Sequence, residues 1–404
     1  MKSITHLNHR YGGPPNTVLV IVTALLMIFW SLGCDDDSSA SGGTDTASDT
    51  GTGADTGTGA DTGTGVDTGT GVDTGTGVDT GTGVDTGTGA DTGTGVEPNA
   101  NYIIADHTAV DAYVNIPQQY LDIVKSWLVD AAGESHSEAY RTGIDVLAAQ
   151  NSTYAATSFD GSIPAATTDA LRLGRHASVG EEDFWTNAAA IDTIKSVIVA
   201  QHTAGNPIHV LFQAWCWDMT RTEGPANSGS NDYDLEFGVH WFGSSAGGPD
   251  GDHIWGLDSS DVAITGNSVS LQTYLNVVDQ YNAFATTNGI ITKSIFSTGP
   301  VDGQSASGEQ GYQRFLKHEA IRAYVKQGTG RVLFDYADIL AYNDAGDRHM
   351  EVWASPIKTV EFHFPAIHPD NSGNDTGHIG NAGALRIAKA MWWLLARMAG
   401  WDGQ

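Results

Sequence analysis

The sequence predicts an α/β fold: a mainly parallel β-sheet with helices on both of its faces. Three observations carry this. Strand-like and helix-like runs alternate from about residue 120 to the end, and such alternation builds parallel sheets. Pro207–Trp215 is a near-continuous apolar run, the pattern of a strand buried on both faces. Gly383–Ala399 is helical, with Trp392 and Leu395 on its apolar side, and reads as a closing helix.

Residues 1–34 read as a secretory signal. Lys2 and Arg10 give a basic start, and Val18–Trp30 is an apolar run too short for a membrane span. The run ends in Ser31-Leu32-Gly33-Cys34, followed at once by acidic residues. This junction resembles a bacterial lipoprotein signal. The resemblance implies lipidation of Cys34, membrane attachment through it, and a location in the cell envelope, at the periplasm or the cell surface. An ordinary signal peptide or an uncleaved anchor is the alternative.

Residues 35–100 form a tether. The hexapeptide Asp-Thr-Gly-Thr-Gly-Ala/Val repeats from Asp49 to Val96. Its side chains are too small to bury a core, so the segment is expected to be disordered, with a span of about 40 Å. A calcium-binding repeat is the sharper alternative, but the side chains match no calcium loop. Residues 101–404 form the folded part, enough for one α/β domain with a large core.

The formal net charge is −29. That argues against nucleic acid and polyanionic surfaces as partners. With Cys34 lipidated, Cys216 has no intrachain partner, and no disulfide framework is expected. Cys216, between Trp215 and Trp217, reads as a small buried apolar residue rather than a nucleophile.

The elements follow in order. Trp127–Ala132 is a first strand running into Gly133, and Ser137–Ala149 a helix. Ala188–Gln201 is helical and leads to the strand at 207–215. Leu271–Thr287 is a helix, with Leu275, Val278 and Tyr281 at helical spacing. Ile290–Phe296 is β-branched and strand-like, ending in the turn Thr298-Gly299-Pro300. Tyr312–Lys326 is helical, and Arg331–Leu340 holds another strand. Between them Arg221–Ser268 is an inserted loop rich in Gly, Ser, Asn and Asp, carrying Tyr233, Trp241 and Trp255. Long loops of this kind are usually binding loops or lids. Exposed, these aromatics would stack on sugar rings; buried, they would pin the loop to the body.

Two motifs carry chemistry. Gly133-Glu134-Ser135-His136-Ser137 follows the first strand, and Asp375-Thr376-Gly377-His378 precedes the last helix. Together they offer a serine, a histidine and an aspartate. A serine hydroxyl becomes nucleophilic when an imidazole takes its proton and a carboxylate holds that imidazole. Active residues in parallel sheets lie at the carboxyl ends of strands, where Ser135 is expected. The competing reading is that Ser135 or Ser137 merely caps the following helix, with Glu138 completing a capping box. Asp250-Gly251-Asp252-His253 also satisfies Asp-x-x-His, but within the loop rather than before the closing helix.

The order of these motifs resembles the SGNH, or GDSL-like, hydrolase family. The resemblance covers most of residues 120–402 in element order, with sequence matches in two blocks. It implies a three-layer α/β/α sandwich of flavodoxin-like type and an esterase activity. By position Ser135 is the nucleophile, His378 the general base and Asp375 its orienting carboxylate. Glu134 stands where the family has Asp, and His136 where it has an aliphatic residue. The oxyanion donors implied are the Ser135 backbone N–H and the glycine of a second block, Gly180, with Gly174 as rival. The family's third-block asparagine has no counterpart, since the chain reads Trp215-Cys216-Trp217-Asp218 there; Gln213 or the Trp217 indole are substitute donors.

The substrate expected is a small acyl ester, such as an acetyl group on a polysaccharide, bound with help from Trp241 and Trp255. The alternative is a carbohydrate-binding surface lipoprotein on the same fold without turnover. No cofactor is expected. A zinc site at His363, His368 and Asp370 is disfavoured, because Pro365 and Pro369 break the helix that would align the ligands.

Overall fold

The computed structural model describes residues 102–176, 182–220, 229–230, 232–245 and 253–404. The signal and its Cys34, the tether, Gly180, Asp250 and Asp252 lie outside the described residues.

The elements in chain order are β1 (Ile103–Ala105), α1 (His107–Ala112), α2 (Gln118–Lys125), β2 (Leu128–Gly133), α3 (Ser137–Gln150), β3 (Ala156–Asp160), β4 (Leu171–Arg175), α4 (Asp183–Thr186), α5 (Ala188–Thr203) and β5 (Val210–Ala214). After the inserted loop come α6 (Val262–Thr265), α7 (Leu271–Thr287), β6 (Lys293–Ser294), β7 (Phe296–Ser297), α8 (Gly308–Lys326), β8 (Val332–Phe334), α9 (Tyr336–Ala341), β9 (Met350–Ala354), β10 (Glu361–Pro365) and α10 (Asn381–Met398).

Strands β3-β4-β2-β5-β6 form one sheet and β1-β8-β7 another, all parallel. The two are joined at Ile295, between β6 and β7, whose N–H donates to the Leu211 carbonyl at 3.0 Å. From β4 to β8 the strands therefore run second, first, third, fourth, fifth in chain order, with β3 and β1 outside them. The order reverses between β2 and β5, and the carboxyl ends of strands at such a point form a crevice where ligands bind.

Alternation along the strands makes three layers. Val129 and Ala131 of β2, with Val210 and Phe212 of β5, pack with α3 and α10 in one core. Leu128 and Ala132, with Leu211 and Trp215, face the opposite way into a core shared with α5, α7 and α8. This is the period of two that pleating imposes. The α/β fold with a mostly parallel sheet and helices on both faces is thus as the sequence predicts. The strand read at 290–296 lies at Lys293–Ser297, broken at Ile295. Helix α8 starts at Gly308, ahead of its first apolar residue at Tyr312.

The antiparallel hairpin of β9 and β10 has no counterpart in the sequence reading. It packs Trp353, Phe362 and Phe364 against Tyr312 of α8 and Trp241 of the inserted loop. No helix among the described residues is long and apolar enough to cross a membrane.

Candidate functional site

Strand β2 ends in a tight turn before α3. Gly133 has φ +137°, and a Cβ there would stand 2.2 Å from the Ala214 carbonyl oxygen, so glycine lets β2 lie against β5 at this end. Ser135 follows, half-buried, and its side chain does not cap α3. The Ser137 hydroxyl instead donates back to the Glu134 carbonyl at 2.5 Å. The helix-cap reading of Ser135 is thereby overturned.

The segment before α10 makes a second tight turn. Thr376 and Ile379 pair across it, with N–H to carbonyl distances of 3.1 and 3.0 Å. Gly377 and His378 both adopt the left-handed region, with φ +49° and +66°. His378 is one of two non-glycine residues with positive φ among the described residues. Such strained positions cost free energy and persist where the surroundings fix them, often at functional sites.

The two turns meet. His378 Nε2 lies 2.9 Å from Ser135 Oγ, although 243 residues separate them. With Nε2 unprotonated, the serine hydroxyl donates to it, which is the polarisation a serine nucleophile needs. Asp375 is exposed, and its Oδ2 accepts the Asn381 N–H at the start of α10 at 3.2 Å.

A second chain of groups shares the serine. Cys216, two residues beyond β5 and 5% exposed, sets its Sγ 2.9 Å from Ser135 Oγ and 3.3 Å from His136 Nδ1. His136 is fully buried, and its Nε2 lies 3.0 Å from Oδ1 of Asp302. The His136 and His378 rings are 4.9 Å apart, and Trp217 stands edge-on to both. Burial, then Asp302, Tyr140 and Cys216, push the Tyr336 hydroxyl beside this cluster well above the usual phenol range. It stays a neutral O–H.

Every one of these groups stands just past the carboxyl end of a strand or in the turn before α10. Ser135 and His136 follow β2, Cys216 follows β5, and Asp302 lies beyond β7. No protein-family model and no curated protein matches this chain.

Three expectations are corrected. Trp241 and Trp255 are fully buried, so neither offers a face to a sugar. Their indole N–H groups donate to Asp234 Oδ2 at 3.1 Å and to the Ser244 carbonyl at 3.0 Å. Lys317 Nζ sits 3.7 Å from the Trp255 ring centroid. These aromatics pin the inserted loop to α8. Cys216 is buried as expected but is no inert filler, since its thiol touches two polar groups. Gly174, the rival oxyanion glycine, packs inside the sheet, where a Cβ would stand 2.0 Å from the Phe159 carbonyl oxygen.

His136, Cys216 and Asp302 escaped the sequence reading. The only signal was position: each lies within five residues of a strand's carboxyl end. His363 and His368 do not join a cluster of metal-ligating groups; the described residues hold two others, His136–Cys216–His378 and Asp106–His107–Asp338.

Proposed function

We propose that this protein is a serine hydrolase of SGNH type acting on small acyl esters, held at the cell envelope by a lipid on Cys34 and the tether of residues 35–100. The observation that carries the reading is the 2.9 Å contact between Ser135 Oγ and His378 Nε2 at the carboxyl end of β2. In this mechanism Ser135 Oγ attacks the ester carbonyl while His378 takes its proton. His378 passes that proton to the leaving alcohol. Water, deprotonated by His378, then attacks the acyl-serine, releasing the acid and restoring the hydroxyl. Asp375 steadies His378 in the role the family resemblance gives it.

The oxyanion would be met by the Ser135 backbone N–H at the amino end of α3, where the helix dipole favours negative charge. A carbohydrate carrier for the acyl group rests on the resemblance alone, because Trp241 and Trp255 are interior. The same burial takes Trp241 and Trp255 out of the alternative, a binding module without turnover, whose motive is the absent third-block asparagine.

The test is hydrolysis of p-nitrophenyl acetate and labelling by a fluorophosphonate, on the full chain and on Ser135→Ala and His378→Ala. Each substitution is expected to lower turnover by at least about a thousandfold, and Ser135→Ala to abolish labelling. Turnover that survives Ser135→Ala would sink the reading.

A further inference from the structure

Ser135 and His378 account for only part of the cluster at the carboxyl end of the sheet. His136 and Cys216 are buried polar groups that the acyl-transfer steps do not use. One nitrogen of His136, the sulfur of Cys216 and one nitrogen of His378 all lie within 4.8 Å of one another. Two imidazoles and a thiol form a donor set suited to a borderline-soft divalent cation, zinc above all.

The surroundings fit the same purpose. His136 turns Nδ1 toward the sulfur at 3.3 Å and Nε2 toward Asp302 Oδ1 at 3.0 Å. With its Nε2 protonated and donating to Asp302, His136 presents an unprotonated Nδ1 lone pair to the cluster centre. A carboxylate behind a ligating histidine fixes its tautomer and raises its basicity, the usual outer partner at zinc sites. Asp302 is 6% exposed and His136 fully buried, so the pair is held by packing. Ser135 Oγ, 2.9 Å from both the sulfur and His378 Nε2, occupies the fourth corner. Three protein ligands with a hydroxyl or water in the fourth position is the pattern of an open zinc site.

We propose that His136, Cys216 and His378 form a zinc-binding site, with Asp302 orienting His136. Occupation has a consequence for the chemistry. Bound through Nε2, the nitrogen that faces Ser135, His378 has no lone pair left for the serine proton. Zinc therefore switches off acyl transfer, and the thiol loses its proton on binding. Only this inhibitory consequence rests on the serine-hydrolase reading; the site itself does not.

The experiment is calorimetric titration of zinc into chelator-treated full chain carrying Cys34→Ser, which leaves Cys216 as the one thiol. One zinc per chain is expected. Cys216→Ala should weaken binding at least about a hundredfold, and Asp302→Asn about tenfold to a hundredfold. Cobalt added to the same chain should give a thiolate charge-transfer absorption, a readout that does not depend on any cluster variant folding. Absence of stoichiometric zinc, or zinc affinity indifferent to Cys216→Ala, overturns the site, as does cobalt bound without thiolate absorption. Hydrolysis of p-nitrophenyl acetate should fall as zinc fills the site; hydrolysis unchanged at full occupancy overturns the inhibition. A metal-free chain that binds zinc but never turns over ester sinks the hydrolase reading and leaves the zinc site standing, and the reverse pattern does the opposite.

Discussion

Gly377 lies so close to Ser135 that a Cβ on it would stand 2.8 Å from the Ser135 carbonyl oxygen and 2.9 Å from the Ala139 nitrogen. The turn that carries His378 is thus pressed directly onto the turn that carries the serine. Its backbone sits at φ +49°, a conformation with a steric cost of about 1–2 kcal/mol for a residue bearing a Cβ. Both constraints meet at the residue preceding the proposed base.

Gly377→Ala should therefore push His378 away from Ser135. The expected outcome is a fall in kcat of about tenfold or more, since small misplacements of catalytic groups are costly, with a drop of a few degrees in melting temperature. Steady-state kinetics beside a thermal melt checks this. Unchanged kcat with a lowered melting temperature would mean that the turn relaxes without moving the imidazole.

Asp375 is exposed and engaged with the Asn381 N–H. A carboxylate in water steadies an imidazole less than a buried one, because solvent screens the charge. Asp375→Asn is expected to lower kcat/KM by about tenfold to a hundredfold, clearly less than Ser135→Ala or His378→Ala. A loss as large as that of His378→Ala would show that screening does not weaken its role.

Trp255→Ala removes a fully buried indole that packs on Trp185 and Trp215. A loss of about 3–5 kcal/mol in unfolding free energy is expected, read by denaturant titration. Retention of the chain on polysaccharide should not change beyond what unfolding explains. A selective loss of retention in folded protein would restore a ligand-binding role.

His107 and Asp338 pair at 2.6 Å, with Tyr342 stacked on the imidazole. Burial alone would lower the His107 pKa, but the hydrogen bond and charge of Asp338 outweigh it and raise the value above 6.5. Asp338 is half-buried, and although desolvation would raise its pKa, its contacts with His107 and then Arg322 bring it below 3.8. A raised histidine stabilises the fold below its unfolded pKa, and that contribution is lost as pH rises through the folded value. A lowered carboxylate stabilises above its unfolded pKa, and its contribution is lost as pH falls through the folded value. The pair contributes most between those two values. From about pH 6 to about pH 8 the melting temperature of the native chain should fall more than that of Asp338→Asn. Parallel curves would remove the pair from the pH response.

Strands β2 and β5 were legible because they are buried on both faces, which leaves near-continuous apolar runs such as Val210–Ala214. Strands β1, β3 and β4 were not read: β1 has three residues, β3 is half-exposed, and Arg172 and Arg175 interrupt β4. The hairpin β9–β10 was not read either, because β9 has only five residues and leaves the apolar Met350 and Val352 exposed, and because Pro365 in β10 reads as a break. The fate of Trp241 and Trp255 was undecided for a related reason. An indole serves equally as a sugar platform or as a core plug, and only the packing of α8 beneath the loop makes it the second.

The sequence by itself determined the alternation of strands and helices and the two motifs containing Ser135 and His378, because period and turn chemistry are local properties. Their meeting at 2.9 Å, and the convergence of His136, Cys216 and Asp302 beside them, were decided by tertiary structure alone. The physical reason is the order of the parallel sheet. Adjacent β2 and β5 bring their carboxyl ends together from positions about 80 residues apart, and no local signal in the chain encodes which strands become neighbours.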